Sequence, residues 1–308
     1  MRAGSRALAI FAYALHARVL RAHAHGPLRA GELEEQISWA PQSSLRSAVS
    51  NLSELGVLQR NGDHGAPTEL TEAGRELLPV ADTLEQWLQH APGGPISLDD
   101  DAARGVIRVL TAGWDSTMVR ALAERPLTLN EISAGIRDLS YPALKRRLAK
   151  LRSTRLVEPI RTDHTAAYAA SDWLRFAVVP LAIAGRWERK HDVDAEPISD
   201  LEVEAAFLLA LPFVEVGEAS GSCTLAALTG EQRRVDSELA GVAVQIESGK
   251  VVSATAESQT KPSTWALGST DAWLAAVLED RTETLRIHGE QPELPLEIVN
   301  ALHRRLFA

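Results

Sequence analysis

The sequence predicts a mostly helical fold with two small β hairpins, followed by a segment of mixed α and β structure. Three observations lead to this prediction. The chain has 308 residues, which suits two or three domains of ordinary size. A pattern of apolar and turn residues in its first two thirds occurs twice, 99 residues apart. After residue 200 this pattern gives way to a hairpin and a short strand between helices.

Composition places the chain among soluble globular proteins. Hydrophobic residues make up 45% and charged residues 24% of it, which argues against wholesale disorder and against a membrane protein. The single cysteine, Cys223, has no partner for an internal disulfide, so a reducing, cytoplasmic compartment is expected. Residues 2–24 have some features of a signal peptide, but His16, Arg18 and Arg21 interrupt the apolar run.

The charge is unevenly distributed along the chain, whose net charge is -9. Residues 1–190 carry 24 Lys and Arg against 21 Asp and Glu, whereas residues 191–308 carry 8 against 20. The excess of acid therefore belongs to the last third. The first two thirds are compatible with a polyanionic partner.

An internal repeat spans the first two thirds of the chain. A shift of 99 residues places Pro27 on Pro126, and a shift of 100 places Trp87 on Trp187. The shift of 99 also pairs Glu32 with Glu131, Ile37 with Ile136, Leu45 with Leu144, Leu52 with Leu151 and Val57 with Leu156. We expect two copies of one domain, residues 1–90 and 102–190, joined by a linker at 91–101.

Each copy begins with the spacing of a helix-turn-helix. A short helix is expected over residues 30–37 and over 129–136. Long helices follow in both copies. Gly56 is expected to end the first one, and Ser140 is expected to cap the start of the second, with Pro142 just inside it. Apolar residues at steps of three and four predict a buried seam on these long helices: Leu45, Val49, Leu52 and Leu55 in the first, and Leu144, Leu148 and Leu151 in the second.

A β hairpin is expected after each long helix, with polar tips at residues 61–64 and 162–164. A largely apolar helix then closes each copy, over 72–89 and 171–190. The acidic residues 99–101 are expected to start the helix after the linker. This order predicts a fold class that is mostly α with small β wings, built from two winged helix-turn-helix domains.

The second copy resembles the HxlR-type winged-helix regulators, within the broad MarR-like group. The resemblance rests on residues 113–122, 126–132 and 144–157, and the first copy is similar over 37–58 and 70–75. It implies a bacterial-type transcription regulator. Because the family dimerises through terminal helices, it also implies a pseudo-dimer within one chain, with a homodimer of chains as a further alternative.

Residues 200–308, after a linker at 191–199, resemble a sterol carrier protein type 2 domain. The resemblance rests on a hairpin at 242–252, a helix containing 268–274, a strand at 285–287 and a closing helix to Phe307. It implies an α+β domain that encloses an apolar tunnel for lipid-like molecules and needs no catalytic residues.

The predicted DNA contacts lie on the two long helices and on the wings. Basic side chains on the second long helix are suited to phosphates and guanine edges in a major groove, although a solvated basic helix face is the plainer interpretation. The first long helix offers mainly polar side chains, which are equally typical of helix caps. The predicted set is Gln42, Ser43, Arg46, Asn51, Arg60, His64, Tyr141, Lys145, Arg146, Arg147, Lys150, Arg161 and His164.

Several aromatic and histidine side chains are candidates for ligand or metal sites. Five tryptophans are candidates for an aromatic ligand cavity, although for each one ordinary core packing is favoured: Trp114, Trp173, Trp187, Trp265 and Trp273. His23 and His25 point to different faces of a helix, so both are expected at the surface rather than at a metal. The sequence holds no hydrolase elbow, metalloprotease helix or phosphate loop, so no enzyme, cofactor or metal is expected.

These observations predict a ligand-responsive DNA-binding transcription regulator. Its expected partners are double-stranded operator DNA and a hydrophobic small-molecule effector. The alternative is a non-enzymatic protein that sequesters a small molecule for self-resistance and uses the winged-helix units only as a scaffold.

Overall fold

A computed structural model describes residues 3–60, 62, 65–112, 116–136, 139–162, 165–191, 198–228, 238–256, 258–260 and 262–307. The helices are α1 (Ser5–Ile10), α2 (His16–Ala22), α3 (Ala30–Gln36), α4 (Gln42–Glu54), α5 (Glu72–Gln89), α6 (Asp101–Thr111), α7 (Ser116–Glu124), α8 (Leu129–Gly135), α9 (Tyr141–Ser153), α10 (Asp172–Phe176), α11 (Val178–His191), α12 (Asp200–Ala210), α13 (Thr270–Glu279) and α14 (Glu293–Phe307). The strands are β1 (Leu58–Arg60), β2 (Thr68–Leu70), β3 (Leu127–Thr128), β4 (Val157–Thr162), β5 (Thr165–Ala170), β6 (Gly221–Leu228), β7 (Glu238–Ala240), β8 (Val242–Glu247), β9 (Lys250–Thr255), β10 (Ser258–Thr260), β11 (Thr264–Ser269) and β12 (Arg286–Gly289).

The chain divides into two compact units. The N-terminal unit contains Ala3–Ala112 and Ile183–Ala195, and the C-terminal unit contains Gly113–Ala182 and Glu196–Ala308 together with Met1–Arg2. Helix α11 contributes to both units.

The N-terminal unit contains the predicted helix, turn, helix and hairpin. At the start of helix α3, the backbone N–H of Arg29 donates to the Glu32 carboxylate at 2.6 Å. The hairpin of β1 and β2 pairs Leu58 with Leu70, and Leu28 adds a single bridge to Thr68. Helix α5 has the predicted bounds, and its buried side chains lie on one face of the helix.

The predicted seam of α4 is wrong at its last position. Leu45 and Leu52 are buried, but Leu55 is 51% exposed and Val49 is only half-buried. Helix α4 ends at Glu54, so Leu55 occupies the cap and its side chain leaves the buried face. Ala48 fills the core position between Leu45 and Leu52.

Residues 127–170 of the C-terminal unit repeat this order of elements. The bounds of α8 and α9 are those of α3 and α4 shifted by 99 residues. The predicted seam of Leu144, Leu148 and Leu151 is buried, and Ser140 occupies the N-cap position of α9, although its side chain makes no capping hydrogen bond. Strands β3, β5 and β4 form a three-stranded antiparallel sheet.

The single helix predicted over 171–190 is wrong, because the segment forms two helices, α10 and α11, separated at Ala177. Pro180 has no backbone N–H, and its ring crowds the carbonyl group of Phe176, four residues earlier. The helix therefore stops at Phe176. It restarts where the N–H of Leu181 donates to the Ala177 carbonyl at 3.2 Å.

The last third of the chain forms a five-stranded sheet of order β12-β11-β6-β8-β9, covered by helices. The predicted hairpin is present as β8 and β9, and α14 ends at Phe307 as expected. Gly268 and Ser269 lie in β11 rather than in the following helix, because the Ser269 side chain caps α13 by accepting from the Ala272 N–H at 3.1 Å. The core centres on Trp273, which is 1% exposed.

Two further properties of the described residues concern the reactivity of the cysteine and the length and polarity of the helices. Cys223 is buried in β6, and burial raises the pKa of its thiol to about 12, so the thiol is unreactive at neutral pH. Within the described part of the chain, every helix is too short or too polar to cross a membrane.

Candidate nucleic-acid interface

Helix α9 presents a basic surface to solvent. Five basic residues of α9 are exposed, namely Lys145, Arg146, Arg147, Lys150 and Arg152. The helix contains no Asp or Glu, and its apolar seam faces the core. The surface therefore has one sign of charge over about two turns, which is what a helix needs when it lies against phosphates.

Aromatic rings hold two of these cations. The Lys145 ammonium lies 4.8 Å from the centroid of the Tyr141 ring, and the Arg152 guanidinium lies 5.3 Å from that of Tyr168. Tyr141 is 42% exposed, so its ring lies on the same solvent-facing surface as Lys145. A cation over a ring loses part of its rotamer freedom before any ligand arrives.

A hydroxyl group fixes the C-terminal end of each long helix to the helix that closes the segment. The Ser171 hydroxyl donates to the carbonyls of Arg155 and Leu156, at 2.9 and 3.0 Å, and accepts from the Leu174 N–H. Thr71 has the same role in the N-terminal unit, where it donates to the Gly56 carbonyl at 2.6 Å. These contacts position α9 and α4 relative to their wings.

Helix α4 has a different surface. Gln42, Ser43, Arg46 and Asn51 are all exposed, as predicted for DNA contacts. The Gln42 amide, however, donates to Glu34 at 2.5 Å and accepts from the Arg46 guanidinium at 3.3 Å. A DNA contact by Gln42 or Arg46 must replace these internal hydrogen bonds, and Glu34 would repel a phosphate placed beside them.

A cleft lies beside α4, between α3, α4 and the hairpin of β1 and β2. It has a volume of about 1050 Å³, and its apolar lining includes Leu33, Leu45 and Leu58. Two of the predicted DNA-contacting residues, Arg46 and Arg60, line the same cleft. This face of the N-terminal unit therefore combines an apolar lining with two arginines.

Parts of the predicted interface lie outside the described residues. His64 and His164, which the sequence predicts at the tips of the two wings, belong to this group, as does the side chain of Arg161. Arg60 is exposed at the end of β1, and beside it the Gln59 amide donates across the hairpin to Glu69 at 2.8 Å.

The prediction that His23 lies at the surface is wrong. His23 is 2% exposed, with Nδ1 2.8 Å from the Val19 carbonyl oxygen and Nε2 2.8 Å from the Thr68 hydroxyl. Thr68 comes from β2, so His23 joins α2 to the wing. His25 is exposed, as expected. No local pattern predicts this contact, because the two partners are 45 residues apart.

The tryptophans proposed for a ligand cavity lie in separate surroundings. Trp187 donates to the Ala73 carbonyl at 2.8 Å in the N-terminal unit, and Trp273 donates to the Ala226 carbonyl at 2.7 Å in the C-terminal unit. Trp173 is buried in α10, whereas Trp265 is half-buried in β11 and packs 4.7 Å from the ring of His288. Trp114 lies outside the described residues. Their role in ligand binding stays a prediction.

Sequence reasoning missed an ion pair between the second helix-turn-helix and the segment that follows it. Arg120, on α7, pairs through Nε with the buried Glu204 of α12 at 2.6 Å, and also donates to the Ala256 carbonyl at 3.2 Å. Arg175 donates to the carbonyls of Ala123 and Leu208, at 2.7 and 2.9 Å. Burial lowers the pKa of the Arg175 guanidinium.

Comparison with known families places a regulator domain on the first of the two segments. Residues 15–92 match the model of the family described as HxlR-like helix-turn-helix, a range that contains α2 to α5 with the hairpin of β1 and β2. The sequence motifs place the resemblance mainly in residues 113–157, whereas this match lies on the other copy. No curated protein matches the chain. The family match supports an HxlR-type regulator, and such regulators bind DNA.

Proposed function

We propose that this protein is a DNA-binding transcription regulator with two winged helix-turn-helix domains in tandem, at residues 1–90 and 102–190, and that α9 is its principal reading helix. The observation that carries the proposal is the surface of α9, with five exposed cations and no acidic residue. Helices α8 and α9 lie 99 residues after α3 and α4, and α3 and α4 belong to residues 15–92, which match a DNA-binding family. The equal spacing therefore supports a DNA-binding role for α9 as well.

In this proposal the two copies have unequal roles. Helix α9 supplies contacts to phosphates and base edges through Lys145 and Arg146, with Tyr141, Arg147 and Lys150 beside them. Helix α4 supplies weaker contacts, since Gln42 and Arg46 are already bonded to each other and Gln42 to Glu34. The contacts of Lys190 with Glu72 and Glu76 in the N-terminal unit support the further idea that the closing helices form a pseudo-dimer.

Residues 200–308 are proposed to hold a hydrophobic effector and to pass its presence to α9. Two contacts of α12 support this role. The Arg120–Glu204 ion pair joins α12 to α7, and Phe207 of α12 contacts Trp273 of α13 in the core. The Phe207 and Trp273 rings meet edge to face at 5.0 Å. An effector controls DNA binding only if it binds one conformation better than the other. Its site must therefore contact an element, such as α12, that is connected to the helix-turn-helix segment.

The test is a gel shift with the DNA upstream of the gene and the double variant Lys145→Ala/Arg146→Ala. We expect the affinity for the specific site to fall at least about tenfold, the effect of losing one or two base contacts of about 1–3 kcal/mol each. The logarithm of the affinity should also depend less steeply on the logarithm of the salt concentration, by about one unit per lost phosphate contact.

The matched control is Arg281→Ala/Arg286→Ala, which removes the same charge from exposed positions outside the helix-turn-helix segments. Its affinity should stay within about twofold of the wild type, and Arg46→Ala should have an effect smaller than that of the α9 variant. If the α9 variant and the control bind the site equally well, α9 is not the reading helix.

A further inference from the structure

A pocket of about 660 Å³ opens in the C-terminal unit, away from α9 and its wing. It lies between the turn Leu211–Phe213, the start of β9 and the last turns of α14. Its volume falls in the range of small-molecule sites, about 300–1,000 Å³. Pro212, Phe213, Val214, Val251 and Ala301 form its apolar wall.

The charged side of this pocket is basic, although the segment around it is acidic. Lys250, Arg304 and Arg305 line it together with one acidic residue, Glu215. Residues 191–308 carry only 8 basic residues against 20 acidic ones, so three of the eight converge on one pocket. Such convergence against the local charge balance requires an explanation.

None of these three cations forms an ion pair with a residue that the structure describes. Elsewhere in the same segment Arg281 pairs with Glu279. Basic residues at the end of α14 are also favoured by the partial negative charge of a helix C-terminus, which accounts for Arg304 and Arg305. That effect does not account for Lys250, which comes from an edge strand.

The backbone holds Lys250 in place. The preceding turn is fixed on both sides, since the Gly249 N–H donates to the Ala219 carbonyl and the Gly249 carbonyl accepts from the Val216 N–H, both at 2.8 Å. Gly249 has a φ of +77°, and a Cβ atom there would overlap the carbonyl oxygen of Gly217. The start of β9 is therefore rigid, and Lys250 is presented at a defined place.

The last turn of α14 is held equally well. Leu302 and Leu306 are buried, and Nδ1 of His303 lies 2.8 Å from the carbonyl oxygen of Val277 on α13. Arg304 and Arg305 are exposed on the other side of this turn. The pocket thus has two fixed sources of positive charge and an apolar wall between them.

We propose that this pocket binds a small amphipathic acid. Its carboxylate or phosphate group meets Arg304, Arg305 and Lys250, because guanidinium groups match the geometry of both oxyanions and an ammonium adds a further donor. Its apolar body lies against Phe213 and Val251. This proposal rests on the proposed effector role of residues 200–308. It narrows the class of effector, because the ligand must have a charged head as well as an apolar body.

Isothermal titration of the full chain without DNA tests this proposal. The probes are octanoate, octyl phosphate, the neutral alcohol 1-octanol and inorganic phosphate. We expect the two acids to bind at least about tenfold more tightly than 1-octanol, because the charge is recognised, and at least about tenfold more tightly than inorganic phosphate, because the apolar body is recognised. The double variant Arg304→Ala/Arg305→Ala should weaken octanoate binding about tenfold or more.

Arg281→Ala/Arg286→Ala is the matched control, and it should bind octanoate within about twofold of the wild type. Thermal melting of both variants checks the fold, which exposed arginines should leave intact. Equal binding of octanoate and 1-octanol, equal binding of phosphate and octyl phosphate, or equal weakening by the two double variants would each overturn the proposal. Since no DNA is present, failure here is distinct from failure of DNA binding.

Discussion

Two histidines of the N-terminal unit, His16 and His23, lie in its core, and each is 2% exposed. Their Nδ1 atoms lie 2.8 Å from the carbonyl oxygens of Ile10 and Val19. Burial lowers the pKa of both imidazoles and outweighs these hydrogen bonds, which act in the opposite direction. The folded chain therefore favours the neutral rings.

We expect the free energy of unfolding to fall as the pH drops below about 6.5, the ordinary pKa of histidine. Below that pH the unfolded chain binds protons more readily than the folded chain, so stability is lost as the pH falls towards the lowered pKa values of the folded state. The loss is at most about 1.4 kcal/mol per pH unit for each histidine. Urea unfolding at about pH 7.5 and about pH 5.5 measures it, and His23→Gln should reduce the difference between the two values.

His25→Gln is the matched control, because His25 is a neighbouring but exposed histidine. It should leave the difference between the two pH values unchanged. If His23→Gln and the wild type lose the same free energy between these pH values, the burial of His23 does not contribute to acid sensitivity.

At the scale of elements, the long helices α4 and α9 end in the same backbone conformation. Gly56 and Arg155, which are 99 residues apart, both follow the helix with positive φ values of 69° and 59°. This left-handed conformation is easy for glycine and costs other residues about 1 kcal/mol or more. A Cβ atom on Gly56 would meet no atom within 4 Å, so only this conformational cost applies.

Gly56→Ala should therefore lower the free energy of unfolding by about 1 kcal/mol, measured by urea denaturation. Gly105→Ala should act in the opposite direction, because Gly105 is exposed inside α6 and a Cβ atom there also meets nothing within 4 Å. It should raise the free energy by about 0.5–1 kcal/mol, the helix preference of alanine over glycine. Changes of the same sign in both variants would show that the conformation at Gly56 is not what matters.

At the scale of the whole chain, residues 113–182, which contain α7 to α10, fold in one unit with the last third. Helix α12 packs along α7, where Met118, Val119 and Leu122 are buried. Glu204 and the Leu208 carbonyl on α12 accept hydrogen bonds from Arg120 and Arg175. Without α12, an apolar face of α7 would be exposed, and the half-buried Arg120 and Arg175 would each lose a hydrogen-bond partner.

A chain shortened to residues 1–191 should thus lose the fold of its second helix-turn-helix and keep the first. The N-terminal unit retains Ala3–Ala112 and the part of α11 that belongs to it. Hydrogen exchange followed by mass spectrometry should find amide protection lost in α7 and α9 and retained in α4 and α5.

In the full chain, Glu204→Ala should give a milder effect in the same elements, about 1.5–3 kcal/mol for a lost hydrogen bond to a charged group. Glu218→Ala is the control, because it removes the same charge from an exposed loop position. Native protection of α9 in the shortened chain would contradict the dependence on α12.

The sequence by itself determined the order of the elements in the two repeated segments and some of their bounds. Helices α3, α5 and α8, the end of α4 and the start of α9 were predicted within a residue or two, because apolar spacing, capping residues and turn residues act over a few neighbouring positions. The repeat strengthened these predictions, since the same pattern of apolar and turn residues occurs twice. The basic surface of α9 was likewise readable, because a helix presents residues three and four apart on one face.

Only the tertiary structure decided which elements pack together and which charged residues meet. The burial of His23 depends on Thr68, the burial of Glu204 on Arg120, and the basic pocket on Lys250 together with the end of α14. Each of these contacts joins residues at least 45 positions apart. Local pattern carries no information at that separation, because the free energy that selects such contacts comes from burial and pairing in the assembled core.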